Sequence, residues 1–148
     1  MNQIRPWLYI GKYRETLDYR LLRSRNITAM LLLAELVEHD GITPIYLEVE
    51  DGEPLPIDKL QKGVDFVKEQ KQQGKNILIA CGAGISRSAT YAIATLKEIE
   101  SLSLVEAFHE VKKAHPDTMP HMALWGSLCQ YYNETIPWVE IAFSGNQS

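Results

Sequence analysis

Residues 77–88 read Ile-Leu-Ile-Ala-Cys-Gly-Ala-Gly-Ile-Ser-Arg-Ser, and an apolar pattern with helical spacing begins at Ala89. The apolar run predicts a strand that ends near Cys81, and the two glycines predict a tight loop after it. A loop between a strand and the start of a helix commonly binds anions, because its N–H groups and the helix dipole present positive charge. The sequence therefore predicts an anion-binding loop around which the fold is built.

Two features suit this loop to a phosphate group. Gly82 and Gly84 lack Cβ atoms, so the backbone can curl with its N–H groups pointing inward. Arg87 can close the ring, because a planar guanidinium offers two parallel donors to two phosphate oxygens. It is the only charged residue between Lys75 and Lys97.

Cys81 stands where a nucleophile would reach a phosphate bound in that loop. Amide dipoles at a helix N-terminus and a nearby cation favour the thiolate form of a cysteine, which is the attacking species. The alternative is a small buried thiol at a strand end, with Arg87 in a surface ion pair. The glycines, the arginine six residues on and the hydroxyls of Ser86 and Ser88 together favour the nucleophile.

Residues 81–88 resemble the Cys-x-x-Gly-x-x-Arg-Ser/Thr signature of cysteine-dependent protein tyrosine phosphatases. The Ser-Arg-Ser-Ala ending and the short chain resemble the small atypical dual-specificity branch, and the likeness extends over most of residues 4–133. It implies that Cys81 attacks and that no metal or other cofactor is needed. It also implies that the phosphate is held by Gly82, Ala83, Gly84, Ile85, Ser86 and Arg87. In one departure, Ala80 stands where the family usually has His.

A phosphatase needs a proton for the leaving oxygen and then a base for water, and one carboxyl group can serve both steps. The loop Glu-Asp-Gly-Glu-Pro-Leu-Pro at residues 50–56 follows a predicted strand and can face Cys81. The residues alone leave Asp51, Glu50, Glu53 and Asp40 as candidates. The Val-Glu-Asp pattern thirty residues before the cysteine resembles the general-acid loop of the family, which implies Asp51.

Roles in or near the loop are considered for four further residues. The resemblance implies that the Ser88 hydroxyl eases hydrolysis of the phosphoenzyme, whereas Ser86 supports the shape of the loop. His121 occupies the position of an Asn that braces this loop in relatives, so it is a candidate brace or an exposed histidine. Cys129 is expected to be a core thiol, with the alternative that it resolves oxidised Cys81.

The remaining pattern predicts an α/β fold with a central, mainly parallel sheet flanked by helices on both sides, as in protein tyrosine phosphatases. Strands are predicted over residues 6–11, 27–33, 45–49 and 76–80. Helices are predicted over 16–25 and 56–73, from 89, over 104–115 and around 124–132. We expect one catalytic domain at residues 1–136 and a C-terminal tail at 137–148.

Composition limits the partners. The net charge of −4 and the absence of a leader-like N-terminus or an apolar run of ~20 residues argue against nucleic acid or a membrane as the main partner. Residues 35–53 hold seven carboxylates and no Lys or Arg, so 12 acidic and 15 basic residues elsewhere leave about +3. The presence of only two cysteines favours a reducing, cytoplasmic setting, and we also expect a monomer.

The favoured function is hydrolysis of phosphotyrosine in proteins or peptides, with phosphoserine and phosphothreonine as further substrates if the cleft is shallow. Phosphoinositide or RNA 5′-phosphatase activity is the alternative within enzymes, but relatives that act on lipids carry lysines in the loop, and this chain has none there. A phosphate-binding pseudophosphatase is the alternative from another class, because of Ala80.

Overall fold

Five short apolar segments form one mixed sheet in the computed structural model, which describes residues 1–144. The strands are β1 (Asn2–Arg5), β2 (Leu8–Lys12), β3 (Ile27–Leu32), β4 (Thr43–Tyr46) and β5 (Asn76–Cys81). Their order is β1-β2-β5-β3-β4, with β1 antiparallel to β2 and the other neighbours parallel. The predicted mainly parallel sheet is confirmed.

Helices cover both faces of this sheet. They are α1 (Tyr13–Thr16), α2 (Tyr19–Ser24), α3 (Ile57–Gln72), α4 (Arg87–Glu100), α5 (Leu104–Ala114), α6 (Met122–Tyr132) and α7 (Trp138–Ser144). The larger core joins one face to α3, α4, α5 and α6, and a smaller core joins the other face to Leu22 of α2. Among the described helices, α4 is the most buried, as predicted, because residues 88–96 are all buried.

The sheet brings several loops to one edge. β5 lies between β2 and β3, and its residues 77–81 are buried on both faces, which explains their unbroken apolar run. Because β2, β3, β4 and β5 are parallel, their carboxyl ends meet at the same edge. The loops after β2, β5, β3 and β4 therefore lie next to one another in that order, and Cys81 ends β5, between β2 and β3.

The elements differ from the predictions in three places. The helix predicted over 16–25 begins later, as α2, because the Asp18 side chain accepts a hydrogen bond from the Leu21 amide (3.0 Å) and caps the helix there. The strand predicted over 45–49 lies earlier in the chain, because the residues that pair with β3 are those of β4, Thr43–Tyr46. Beyond β4, Leu47 and Val49 stay buried, and the Leu47 amide still donates to Leu32 O at 2.9 Å, so contact with β3 continues one residue past the strand. β1 was not predicted.

The predicted tail also differs. Residues Trp138–Ser144 form α7, whose Ile141 is 1% exposed in the larger core. Trp138 packs against the same core. Residues 145–148 of the predicted tail lie outside the described residues, and the domain boundary at 136 stays a prediction.

Candidate active site

The signature loop connects the end of β5 to the start of α4. Cys81 is 2% exposed, and its Sγ lies 3.2 Å from the Ser88 hydroxyl oxygen. The Ser88 amide donates to the same sulfur at 3.4 Å. The sulfur is therefore at the base of the loop, beside the first turn of a helix, where the backbone dipoles favour negative charge.

Three carbonyl groups of the loop are turned toward the surrounding protein. The Tyr13 amide donates to Gly82 O (3.4 Å), and the Met119 amide donates to Ile85 O (3.0 Å). The Gly84 carbonyl accepts from a histidine ring nitrogen at 2.5 Å. Gly84 has φ +71° and an added Cβ would lie 3.1 Å from the Gly11 carbonyl oxygen, so this position requires glycine.

Arg87 is fixed by two main-chain carbonyls in the segments that follow β3 and β4. Its Nη1 donates to Val49 O at 3.1 Å and to Leu33 O at 3.4 Å. A Cβ placed on Gly82 would lie 3.1 Å from its Nη2, so the second amino group lies beside the loop. The guanidinium is thus oriented before any ligand arrives, with donors left over for phosphate oxygens.

Asp51 reaches the loop through Ser86. The Ser86 hydroxyl donates to Asp51 Oδ1 at 2.6 Å and accepts from the His121 amide at 2.8 Å. Glu50 and Glu53 line a different depression, beside Lys59. Of the four candidate acids, Asp51 is the one that lines the cleft above Cys81. Its catalytic role stays a prediction.

The cleft has a volume of about 380 Å³. One wall carries the signature loop and Asp51. The rest of the lining comes from α7, from the start of α6 and from the segment before it, namely Met119, Pro120, His121, Met122 and Trp138. Sequence reasoning missed Trp138, because an isolated aromatic after the last strong helical pattern carries no periodicity signal.

His121 contacts the loop through its backbone. Its amide holds Ser86, whereas its imidazole Nδ1 accepts from the Ala123 amide at 3.0 Å and caps α6. The ring itself lines the cleft. This main-chain contact supports the bracing role suggested for His121, which stays a prediction.

His115 is a second contact to the loop, and sequence reasoning treated it only as the end of a helix. The residue is 7% exposed, and its Nε2 lies 2.5 Å from Gly84 O while its Nδ1 lies 2.7 Å from Asn2 Nδ2. A carbonyl can only accept, so Nε2 carries the proton and Nδ1 accepts from Asn2. The sequence offered one signal for this contact, namely a polar residue at the end of a helix whose apolar face is directed at the core.

Ala80 and Cys129 lie away from the reacting sulfur. Ala80 belongs to the smaller core, whereas Cys81 belongs to the larger one, so their side chains point to opposite faces of β5. Cys129 lines a separate groove with Trp125 and Ile136, and burial raises the pKa of its thiol. Both cysteines are free thiols, and the suggested resolving role of Cys129 stays a prediction.

Residues 1–144 contain no group of three His, Cys, Asp or Glu side chains arranged to hold a metal ion. None of the described helices is long and apolar enough to cross a membrane.

Comparison with known proteins identifies relatives over most of the chain. The family model for the dual specificity phosphatase catalytic domain matches residues 8–134. Human dual specificity protein phosphatase 5 is 30% identical over 139 residues, which cover 91% of this chain and 36% of that protein. The chain thus spans about a third of the length of this curated relative.

Solved structures share the fold. Human DUSP28 superposes with a TM-score of 0.83 at 23% identity, over 90% of this chain and 96% of that one. The human tyrosine phosphatase-like serine/threonine/tyrosine-interacting protein gives a TM-score of 0.83 at 22% identity, over 90% and 95%. The expected phosphatase-like architecture is confirmed by these neighbours.

Proposed function

Because this chain belongs to the dual-specificity phosphatase family, we propose that it hydrolyses phosphate monoesters on proteins through a phosphocysteine intermediate. Phosphotyrosine is the favoured substrate, and phosphoserine and phosphothreonine are further substrates. The observation that carries the proposal is that Cys81, Arg87 and Asp51 line one cleft at the carboxyl edge of the sheet.

The reaction has two steps. In the first, Cys81 Sγ bonds to phosphorus while the bond to the leaving oxygen breaks, and the Asp51 carboxyl gives that oxygen its proton. In the second, water attacks phosphorus, Asp51 takes a proton from the water, and the phosphorus–sulfur bond breaks. The Ser88 hydroxyl, 3.2 Å from the sulfur, donates a hydrogen bond to the departing thiolate. The products are the free hydroxyl compound and inorganic phosphate.

The orientation of the loop carbonyls supports its role as the phosphate cradle. Every peptide bond of the described chain is trans, so the N–H of each unit points opposite to its C=O. The carbonyls of Gly82, Gly84 and Ile85 face donors behind the loop. The amides that follow them therefore point the other way, toward the cleft, and these belong to Ala83, Ile85 and Ser86.

Arg87 completes the cradle, with Gly82 and Gly84 supplying the backbone freedom. Its two contacts, to the Leu33 and Val49 carbonyls, use only part of its five N–H donors, and the rest can bind two phosphate oxygens. Preorganised donors of this kind stabilise the charge that develops on the transferred phosphoryl group. The hydrogen bond from Ser86 supports Asp51 as the acid, because it holds the carboxyl group beside the same loop.

The lining of the cleft favours a phosphorylated protein over a polyanion. Arg87 is the only Lys or Arg side chain that lines it in the described structure, so additional phosphates would find no partner there. The proposal further includes a monomer in a reducing compartment such as the cytoplasm, because a catalytic thiol must stay reduced.

The test is turnover of an aryl phosphate by the wild type, Cys81→Ser and Cys129→Ser. We expect Cys81→Ser to lose turnover completely and to keep its affinity for a phosphotyrosine peptide, whereas Cys129→Ser stays at the wild-type rate. Equal rates for wild type and Cys81→Ser would remove this cysteine from the mechanism. A wild type that binds the peptide without hydrolysing it would be a pseudophosphatase, and a preference for inositol phosphates or nucleotides would overturn the substrate assignment.

A further inference from the structure

Trp138 is a fixed part of the cleft although it lies in the segment after the last strong helical pattern. Its indole Nε1 donates to Pro120 O at 2.8 Å, and its ring packs against the larger core. Three residues later, Ile141 is buried in that core and anchors α7. The indole is therefore held in place at the cleft wall by contacts within the protein.

The wall around Trp138 is apolar and partly exposed. Ile85 is 40% exposed and Met122 is 57% exposed, and both line the cleft together with Met119 and Pro120. Large apolar side chains that remain exposed around a concave surface indicate a site that binds an apolar group. Thioether and indole groups make favourable contacts with aromatic rings.

The depth of the sulfur adds a geometric requirement. Cys81 is 2% exposed at the floor, so a phosphate must descend past this apolar wall to reach it. A phenyl ring holds the phosphate farther from the peptide backbone than a Ser or Thr side chain does, and it can contact this wall while the phosphate binds the loop. The short side chains of phosphoserine and phosphothreonine would leave the wall uncovered.

We propose that Trp138 is a specificity-determining residue that makes this cleft select aryl phosphates, phosphotyrosine above all, over alkyl phosphates. The proposal rests on the proposed function and deepens it. In this arrangement the signature loop binds the phosphate group of aryl and alkyl substrates equally well. The indole, with Met122, contacts the aromatic ring only, so it contributes to one substrate class and not to the other.

The test compares two peptides of identical sequence, one with phosphotyrosine and one with phosphothreonine. For Trp138→Ala we expect kcat/KM on the phosphotyrosine peptide to fall roughly tenfold, mainly through KM, as expected for the loss of one aromatic contact. The value for the phosphothreonine peptide should stay within about twofold. Val139→Ala, an exposed neighbour on α7, is the matched control and should behave as wild type.

Trp138→Phe separates the ring from its hydrogen bond to Pro120. Trp138→Phe should keep most of the preference for the phosphotyrosine peptide, because a phenyl ring can still contact the substrate. If Trp138→Phe were as impaired as Trp138→Ala, the effect would be due to the hydrogen bond to Pro120, and the proposal would be overturned. An equal loss on both peptides, with or without a lower unfolding temperature, would overturn it as well.

The same peptides are then bound to Cys81→Ser and to Cys81→Ser/Trp138→Ala, measured by calorimetry. We expect the second substitution to weaken phosphotyrosine binding roughly tenfold and phosphothreonine binding little. Because calorimetry needs no turnover, it separates a failure of the proposed hydrolysis from a failure of the proposed role of Trp138. Absent wild-type hydrolysis would refute the proposed function, and an unchanged affinity ratio would refute the role of Trp138.

Discussion

The signature loop and the helix that follows it are neighbours in sequence, but different forces hold them. In the loop, Gly82, Ala83 and Ile85 are exposed, and hydrogen bonds from distant segments fix the backbone. In α4, residues 88–96 are all buried, and packing between the sheet and three helices fixes the chain. The chain passes from the exposed loop to the buried helix at Arg87. We therefore expect catalysis and stability to depend on adjacent but separable parts of one stretch.

This division has a physical reason. A loop that binds an anion must leave its N–H groups unpaired toward the ligand, so it cannot be held by the regular hydrogen bonds of a helix or strand. Its carbonyls must instead find donors elsewhere, here on Tyr13, Met119 and His115. α4 supplies the rigid platform. We therefore expect substitutions at the loop to change turnover more than stability, and substitutions under α4 to do the reverse.

The largest effect is expected on the loop side, from Asp51→Asn. An amide cannot give or take the proton, so turnover should fall by about 100- to 10,000-fold with little change in peptide affinity. The pH–rate profile should also lose the limb that reports the protonated acid. Steady-state kinetics across pH, with calorimetric binding, measure both.

Glu50→Gln is the matched control, because the carboxyl group next in the chain lines a different depression. It should keep the wild-type profile. If Glu50→Gln abolishes turnover while Asp51→Asn does not, the acid has been assigned to the wrong carboxyl group.

The helix side is tested by Gly63→Ala in α3. A Cβ at Gly63 would lie 2.2 Å from the ring of Tyr91, which is fully buried on α4 and donates its hydroxyl to Lys59 O. The ring cannot move aside easily, so we expect a loss of about 1–3 kcal/mol in the free energy of unfolding. Urea denaturation measures the loss, and kcat at low temperature should stay near wild type.

Gly126→Ala in α6 is the control for glycine replacement itself. Nothing lies within 4 Å of the added Cβ, so the substitution should be neutral or should stabilise by up to about 1 kcal/mol through helix propensity. A Gly63→Ala protein as stable as wild type, or one with strongly reduced kcat, would contradict the separation of the two regions.

The same division explains what could be predicted from the sequence. The loop was predictable because its determinants are local: Cys81, two glycines and Arg87 lie within seven residues. Helix α4 was predictable because its apolar residues recur at helical spacing, namely Ala89, Ala92, Ile93 and Leu96. The fold class followed from the alternation of such patterns.

The rest of the site depends on contacts between segments far apart in the chain. His115 meets Gly84 across 31 positions, and Asp51 meets Ser86 across 35. No local pattern encodes such a meeting, so the carboxyl group could be chosen only through resemblance to a family. Trp138 was missed for the same reason, since its place beside the loop is decided by the packing of Ile141.

The smallest effect is expected where α4 ends. Arg5 on β1 donates through Nε and Nη2 to both carboxylate oxygens of Glu100, at 2.8 and 2.9 Å, and through Nη2 to Glu110 of α5 at 2.9 Å. Its hydrogen bonds hold the pKa of Glu100 below its ordinary value. Since these side chains are partly exposed and screened by solvent, Arg5→Met should cost about 0.5–1 kcal/mol at pH 7, with unchanged kcat.

The pH dependence of that loss identifies its cause. A carboxylate whose pKa is lowered on folding contributes stability above its unfolded pKa of about 4.3, and the contribution is lost as the pH falls through the folded value. The difference between wild type and Arg5→Met, measured by denaturation at a series of pH values, should therefore shrink below about pH 4. Arg20→Met, an exposed arginine on α2, should show no such trend. A difference that persisted in acid would instead assign the stabilisation to packing of the apolar part of the Arg5 side chain, and the end of α4 would then be held by packing like the rest of the helix.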